Sequence, residues 1–198
     1  MYQPISVTVV AGCNGTNGET FLEVTLKPLQ GQRVIAIIPA RGSQKARNRD
    51  GIVMMPTTER HKRLGQGCSC CTVRSDLMIK IKRIAAEQSA DHIVIHLAPK
   101  SDLDTLNKTF NVADADGFRL RDIARLESII TIVDASSVLL QLKSNASRAL
   151  FERIEYASVL AFENTAGMKP DTYIQTLKEL KAINPGARIY EDGQPTAH

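Results

Sequence analysis

Three of the chain's four cysteines fall within four positions, in the stretch Gly67-Cys68-Ser69-Cys70-Cys71-Thr72-Val73-Arg74-Ser75-Asp76-Leu77. A thiolate is both a soft metal ligand and a nucleophile. A C-x-C-C run can turn two or three sulfurs toward one point with little rearrangement of the backbone. Zinc or another divalent transition metal is the first chemistry the pattern suggests, with Cys68, Cys70 and Cys71 as ligands. Two other readings stand beside it. Cysteines also serve as small apolar packing residues. A redox pair is the third, although a disulfide between the neighbours Cys70 and Cys71 is geometrically awkward and C-x-C is not the usual C-x-x-C oxidoreductase spacing.

A second stretch with chemical potential is Gly12-Cys13-Asn14-Gly15-Thr16-Asn17-Gly18-Glu19-Thr20, which follows the apolar run Ile5 to Ala11. Strand, glycine loop and helix in that order form the setting of a phosphate-cradling loop. Gly12, Gly15, Gly18 and Thr20 are the candidate contacts. The usual loop neutralises the β and γ phosphates with a lysine, yet no Lys or Arg occurs from Met1 to Leu26. If Gly18 is the last loop glycine, Glu19 stands in the lysine's place. The expectation is a tight turn that keeps the backbone shape without ordinary triphosphate binding. Asp114-Ala115-Asp116-Gly117 lacks the remaining ligand positions of a calcium loop and reads as a turn.

These residues need a scaffold, and the apolar runs supply one. Residues 5 to 11, 33 to 39, 91 to 98, 128 to 135, 157 to 162 and 187 to 190 read as strands, most of them continuously apolar like strands buried on both faces. Helical spacing is expected from Asp76 to about Gln88, around Asp102 to Thr109 and Phe118 to Leu126, over residues 136 to 150, and from Lys169 to Asn184. Thiolates just before the first of these helices would have lowered pKa values, because its unpaired N–H groups favour negative charge. His92 reads as a surface or strand-entry residue. His96 lies near the carboxyl end of its strand, the end that faces the ligand crevice in open α/β sheets. Residues 41 to 63 carry seven Lys or Arg against Asp50 and Glu59 and read as a long exposed basic loop, with a short strand at Ile52 to Met55. Residues 191 to 198 read as a polar tail. Alternating strands and helices predict one α/β domain over residues 1 to 190 with a mostly parallel sheet.

Composition narrows the function classes. With no Trp and 5% aromatic residues, stacking platforms for single-stranded nucleic acid are poorly supplied. A formal charge of +4 permits an acidic partner without demanding one. No charged leader precedes an apolar run at the start, and no apolar stretch has the roughly 20 residues of a membrane helix. Cysteines at 13, 68, 70 and 71 look like thiols kept reduced in a cytoplasm.

In this order the pieces resemble the nucleotide-binding domain of the CobW-type metallochaperone GTPases, relatives of HypB and UreG. Residues 67 to 77 look like the family's G-C-x-C-C-x-x-R-x-D-L segment. Thr131-Ile132-Val133-Asp134-Ala135 resembles its strand ending in V-D-A, and Ile183-Asn184-Pro185-Gly186-Ala187 its L-N-P-x-A turn. The resemblance implies a P-loop NTPase-like sheet and coupling of GTP to delivery of a metal through the cysteines. The departures fall on the nucleotide. A gapless match puts Gly18 and Glu19 where the family has its lysine and magnesium-binding hydroxyl. His96-Leu97-Ala98-Pro99 stands for E-T-x-G, and Glu163-Asn164-Thr165-Ala166 for the guanine-reading N-K-x-D. Ala166 has no side-chain acceptor for guanine. The expectation is a metal-binding or metallocentre-assembly protein with GTPase activity lost, in which Cys13 or His96 completes a tetrahedral site. Its partner is then a client metalloprotein, an intact GTPase relative or a second copy. The alternatives are a pseudo-GTPase interaction module that docks through the basic loop, and a weak GTP-binding metallochaperone.

Overall fold

Continuous apolar runs become strands covered on both faces, and the helices between them bury one stripe each. The structure, a computed structural model, describes residues 4–12, 25–38, 47–49, 52–56, 69–97, 103–114, 116–144, 147–191 and 194–195. The chain forms two compact units: Met1–Thr8 with Gly31–Leu97 and Ser101–Glu127, and Val9–Gln30 with Ala98–Lys100 and Ser128–His198.

In the first unit the strands are the start of β1 (Ile5–Gly12), β2 (Val34–Ile38), β3 (Arg47–Arg49), β4 (Ile52–Pro56) and β5 (His92–Leu97), in the order β3-β4-β2-β5-β1. β2 pairs in parallel with β4, Val34 opposite Ile52, and with β5, Val34 opposite His92. Parallel strands need crossovers, and α1 (Ser69–Glu87) supplies the one from β4 to β5. Its buried residues Leu77, Met78, Ile81 and Ile84 recur at helical spacing, and it packs on α2 (Leu103–Asn111), which buries Leu103, Leu106 and Phe110.

In the second unit the part of β6 (Ala124–Asp134) from Ser128 on follows the end of β1, and β7 (Val159–Glu163), β8 (Arg188–Glu191) and β9 (Gln194–Pro195) come next. β6, β7 and β8 are parallel, with Asp134 opposite Glu163 and Phe162 opposite Glu191. The helices α3 (Val138–Leu142), α4 (Ser147–Glu155) and α5 (Pro170–Ile183) enclose a core that includes Val133, Ile154, Leu160, Phe162, Leu180 and Ile189. Pro170 suits the first turn of α5, where its missing N–H is not needed.

The α/β class and the mostly parallel sheet are as expected, and the Asp114 turn forms: its Oδ1 accepts from the N–H groups of Asp116 and Phe118, and Gly117 takes φ +80°. Several local expectations are corrected. Phe118 to Leu126 is not helical; one 3-10 turn, Leu120–Asp122, leads into β6 at Ala124. The apolar residues there imitate helical spacing, but exposure alternates at the start of β6 as a strand requires. The single helix expected over 136 to 150 is two, α3 and α4, and Ser144 Oγ donates to the Gln141 carbonyl where α3 ends. Part of the basic run is a strand, since β3 pairs antiparallel with β4; basic residues are at home on such a sheet edge. The tail supplies β9, which pairs antiparallel with β8. The start of the helix expected after the glycine loop lies outside the described residues.

Candidate functional site

The thiol run begins a helix instead of preceding it. α1 starts at Ser69, so Cys70 and Cys71 occupy its first turn, where four backbone N–H groups have no partner within the helix. The helix is set in place from its other half, by the buried Leu77, Ile81 and Ile84. Cys68 and Cys13 lie outside the described residues, as do Gly15, Gly18, Thr20 and most of the basic run. His96 is half-buried at the penultimate position of β5, flanked by buried Ile95 and Leu97. Among the described side chains no group of three or more His, Cys, Asp or Glu gathers to hold a metal. Of the expected ligands only His96 has a described side chain, so the site is assembled here only to the level of α1 and β5.

The carboxyl ends of β6 and β7 are described in full. Asp134 ends β6, and its Oδ1 accepts from Ser136 N at 3.1 Å and Ser136 Oγ at 2.7 Å, while Oδ2 accepts from Ser137 Oγ at 2.8 Å. Gln141 Nε2 donates in turn to Ser137 Oγ. Burial pushes the Asp134 carboxyl up, but hydrogen bonds from Ser136, Ser137 and Asn164 outweigh it and hold the group below the usual carboxylate range. Asn164, in a left-handed conformation at φ 58°, follows Glu163, whose carbonyl accepts from Ala135 N at 3.0 Å. This corner is therefore a brace between two strand ends. A carboxylate with its lone pairs so engaged is an ionised structural group and a poor proton acceptor.

Two residues here escaped the sequence. His92 is 4% exposed, not a surface residue, and shares a 2.9 Å hydrogen bond with Thr8 Oγ1. Its neighbour across the sheet, β1, is what buries it, and burial at the first position of a strand leaves no local pattern. Arg153 on α4 is buried, and its Nη1 donates to the carbonyl of Gly12, the last residue of β1, at 2.8 Å. A lone arginine in a helical pattern gives no sign of a contact 141 positions away.

With this geometry described, the chain can be set beside known proteins. Residues 6–191 match the sequence model of the CobW/HypB/UreG nucleotide-binding domain. The zinc-regulated GTPase metalloprotein activator 1 of Dictyostelium discoideum is 24% identical over 218 residues, which cover 95% of this chain and 46% of that protein. The zinc chaperone CobW of a Sinorhizobium species is 28% identical over 141 residues, 68% of this chain and 38% of that protein. The chain thus spans about half, or less, of the length of these curated relatives. The Zn(II)-bound YjiA GTPase from E. coli aligns with a TM-score of 0.59 at 17% identity, over 96% of this chain and 57% of that one. HypB from Archaeoglobus fulgidus aligns at 0.54 and 16%, over 95% and 80%. At such identities the likeness shows the fold, the P-loop GTPase sheet.

Proposed function

This chain belongs to the CobW/HypB/UreG nucleotide-binding-domain family, and from that premise we propose that it is a metallochaperone-type protein that holds zinc, or a similar divalent ion, as cargo on the thiolates of Cys68, Cys70 and Cys71. The observation that carries this reading is the position of Cys70 and Cys71 in the first turn of a 19-residue helix. A helix start stabilises thiolates. The likeness to a zinc-regulated GTPase metalloprotein activator and to a zinc chaperone supports zinc over its neighbours in the periodic table. Cys13 or His96 supplies the fourth ligand of a tetrahedral site.

Ordinary GTP turnover does not fit the residues present. The stretch from Gly12 to Thr20 holds no cation to neutralise a terminal phosphate, and Ala166 offers no acceptor for a guanine edge. Asp134, at the end of the adjoining strand, already spends its oxygens on Ser136 and Ser137. The protein acts in metallocentre assembly by transferring the ion to a client protein, without hydrolysis to time the release.

The test is elemental analysis of the full chain purified without added metal, together with GTP hydrolysis by the same sample. About one zinc per chain is expected, falling to none in the Cys68→Ser, Cys70→Ser, Cys71→Ser variant, with no turnover above background. Joint replacement of Cys13 and His96 should weaken zinc binding. Unchanged zinc content in the triple variant would refute the thiolate site, and robust GTP turnover would refute the loss of hydrolysis.

A further inference from the structure

Helix α1 buries Leu77, Met78, Ile81 and Ile84, and its last turn and the turn after it then carry Ala85, Ala86 and Ala90. A methyl group fills less space than those larger side chains. A cleft of about 860 Å³, open to solvent, remains there, walled on its other sides by Ile5, Phe118 and Ile123. Ile5 opens β1 and Ile123 directly precedes β6, so the cleft lies at the amino ends of these strands and within the first unit. The cysteine run stands at the start of α1 and the cleft at its end, roughly 24 Å away at the rise of a helix.

Three charged side chains border the apolar floor: Arg33, Lys82 and Asp122. Arg33 gives N–H groups on Nε and Nη2 to Asp91 and one on Nη1 to the Gln88 carbonyl, which fixes the guanidinium and leaves further donors on Nη1 and Nη2. Lys82 is fixed by Asp114 and by the Phe118 ring 4.4 Å away, and its ammonium also keeps donors to spare. Asp122 differs. Its Oδ2 accepts from Arg119 N at 3.3 Å, and no cation pairs with it among the described residues. A purely apolar occupant would take water from these groups and leave them without partners. A simple carboxylate would meet the donors but be repelled by Asp122, and a simple amine would meet Asp122 but be repelled by two cations. A molecule that carries both charges on an apolar body satisfies all three side chains and adds no net charge.

We propose that this cleft binds a small zwitterion with an apolar body, the chemistry of an apolar amino acid or of a short apolar peptide with free ends. Its carboxylate lies on Arg33 and Lys82, its ammonium on Asp122, and its side chains on the alanines and Phe118. The volume is that of a site for a small molecule. The need for both free ends excludes an internal segment of a partner protein. The inference is independent of the thiolate site.

The test is calorimetric titration of the full chain with leucine, dileucine, trileucine, N-acetyl-dileucine and dileucine amide. Saturable binding of at least one of the first three is expected, with the acetylated and amidated peptides weaker than dileucine by about tenfold, since each lacks one charge. Leucine binding as tightly as dileucine marks a free amino acid; tighter binding of the peptides marks a peptide. Asp122→Asn keeps an acceptor for the Arg119 N–H and should lose about tenfold in affinity for dileucine, but not for N-acetyl-dileucine. Ala86→Phe fills the cleft from an exposed helix position and should abolish binding. Failure of leucine, dileucine and trileucine all to bind the wild-type protein below about 1 mM overturns the proposal. So does an acetylated or amidated peptide that binds as tightly as dileucine, and so does wild-type affinity in Ala86→Phe, which would put the binding elsewhere. Thermal midpoints of the same samples show whether the variants fold. If they do not, the comparison of the free, acetylated and amidated peptides on the wild-type protein decides.

Discussion

The two units fasten their parallel strands by different chemistry. In the first unit the amino ends of β2 and β5 are held by charge: Arg33 donates from Nε and Nη2 to the two oxygens of Asp91, and from Nη1 to the Gln88 carbonyl at 2.8 Å. Beside them His92 is buried against Thr8, and Lys82 pairs with Asp114 while lying 4.4 Å over the Phe118 ring. At the amino ends of β7 and β8 the second unit uses neutral groups. Asn184 Nδ2 donates to the carbonyls of Ile154, Glu155 and Ala157 at 2.8, 2.9 and 2.7 Å, and its Oδ1 accepts from Ala187 N. Ser158 Oγ lies 2.8 Å from Ser128 Oγ and accepts from Ile129 N. The unit that bears the cysteine run is thus fastened at the amino ends of its strands by groups that respond to pH and salt, and the other unit is fastened at the amino ends of β7 and β8 by contacts that do not titrate.

The largest effect expected is in the neutral unit. Phe162 is 1% exposed and meets Tyr173 edge-on with ring centroids 6.3 Å apart. Phe162→Ala should cost about 3 to 5 kcal/mol in urea denaturation, through lost burial and the cavity left behind. The comparison predicts that this loss is the same in low and high salt. Next comes Asn184→Ala, which takes the side-chain donor from the Glu155 and Ala157 carbonyls and one of two donors from that of Ile154, and should cost about 2 kcal/mol. Asn184→Asp sharpens the point: a carboxylate cannot donate to those carbonyls, so it should be as damaging as alanine. If Phe162→Ala or Asn184→Ala proved strongly salt-dependent, the division between neutral and charged fastenings would fail.

How much of this was legible depended on whether the signal was local. Val34 to Ile38 and Val159 to Phe162 are continuously apolar because both faces of a parallel strand are covered, and such runs declare themselves. The turn at Asn184-Pro185-Gly186-Ala187 was visible by resemblance, though not the reason for its asparagine, which lies in carbonyls about 30 residues earlier. The cysteine run stands out in the sequence because its residues are adjacent; the helix start that contains it was misplaced by several positions, since the apolar stripe of α1 begins only at Leu77. β6 was read four residues short because its half-exposed beginning carries Arg125 and Glu127. His92 and Arg153 were missed for a common reason: a polar residue is made internal by a partner far away in the chain.

In the charged unit His92 gives the next effect. Burial lowers its pKa, and Glu127 nearby raises it by less, so the folded protein keeps the ring neutral below the ordinary value of about 6.5. As pH falls the unfolded chain takes up the proton first. The contribution of His92 is therefore complete above about pH 6.5 and drains away as pH falls from there toward the lowered folded value. Unfolding curves at about pH 7.5 and about pH 5.5 should show a loss of stability on acidification, and His92→Gln should remove that part of it. A wild-type slope retained in His92→Gln would assign the acid sensitivity to another group and take His92 out of the comparison.

Asp91 gives the smallest effect, with the same direction in pH but a lower window. The Arg33 side chain, and its backbone N–H at 3.0 Å, hold the Asp91 carboxyl down to about 2. Unfolded, the same carboxyl titrates near about 3.9, so the ion pair's contribution is whole above that value and is lost as pH falls through about 4 toward about 2. Across the neutral range it is constant. Both side chains are well exposed, 62% for Arg33 and 47% for Asp91, and solvent screening keeps such a pair weak despite its close geometry. Asp91→Asn should accordingly change stability less at neutral pH than the replacements at the other three positions. High salt should erase most of the difference between wild type and variant by screening the attraction. A large loss in Asp91→Asn that persists in high salt would mean that the hydrogen bonds to Arg33, not the charges, fasten β2 to β5, and the first unit would then be held in the same neutral way as the second.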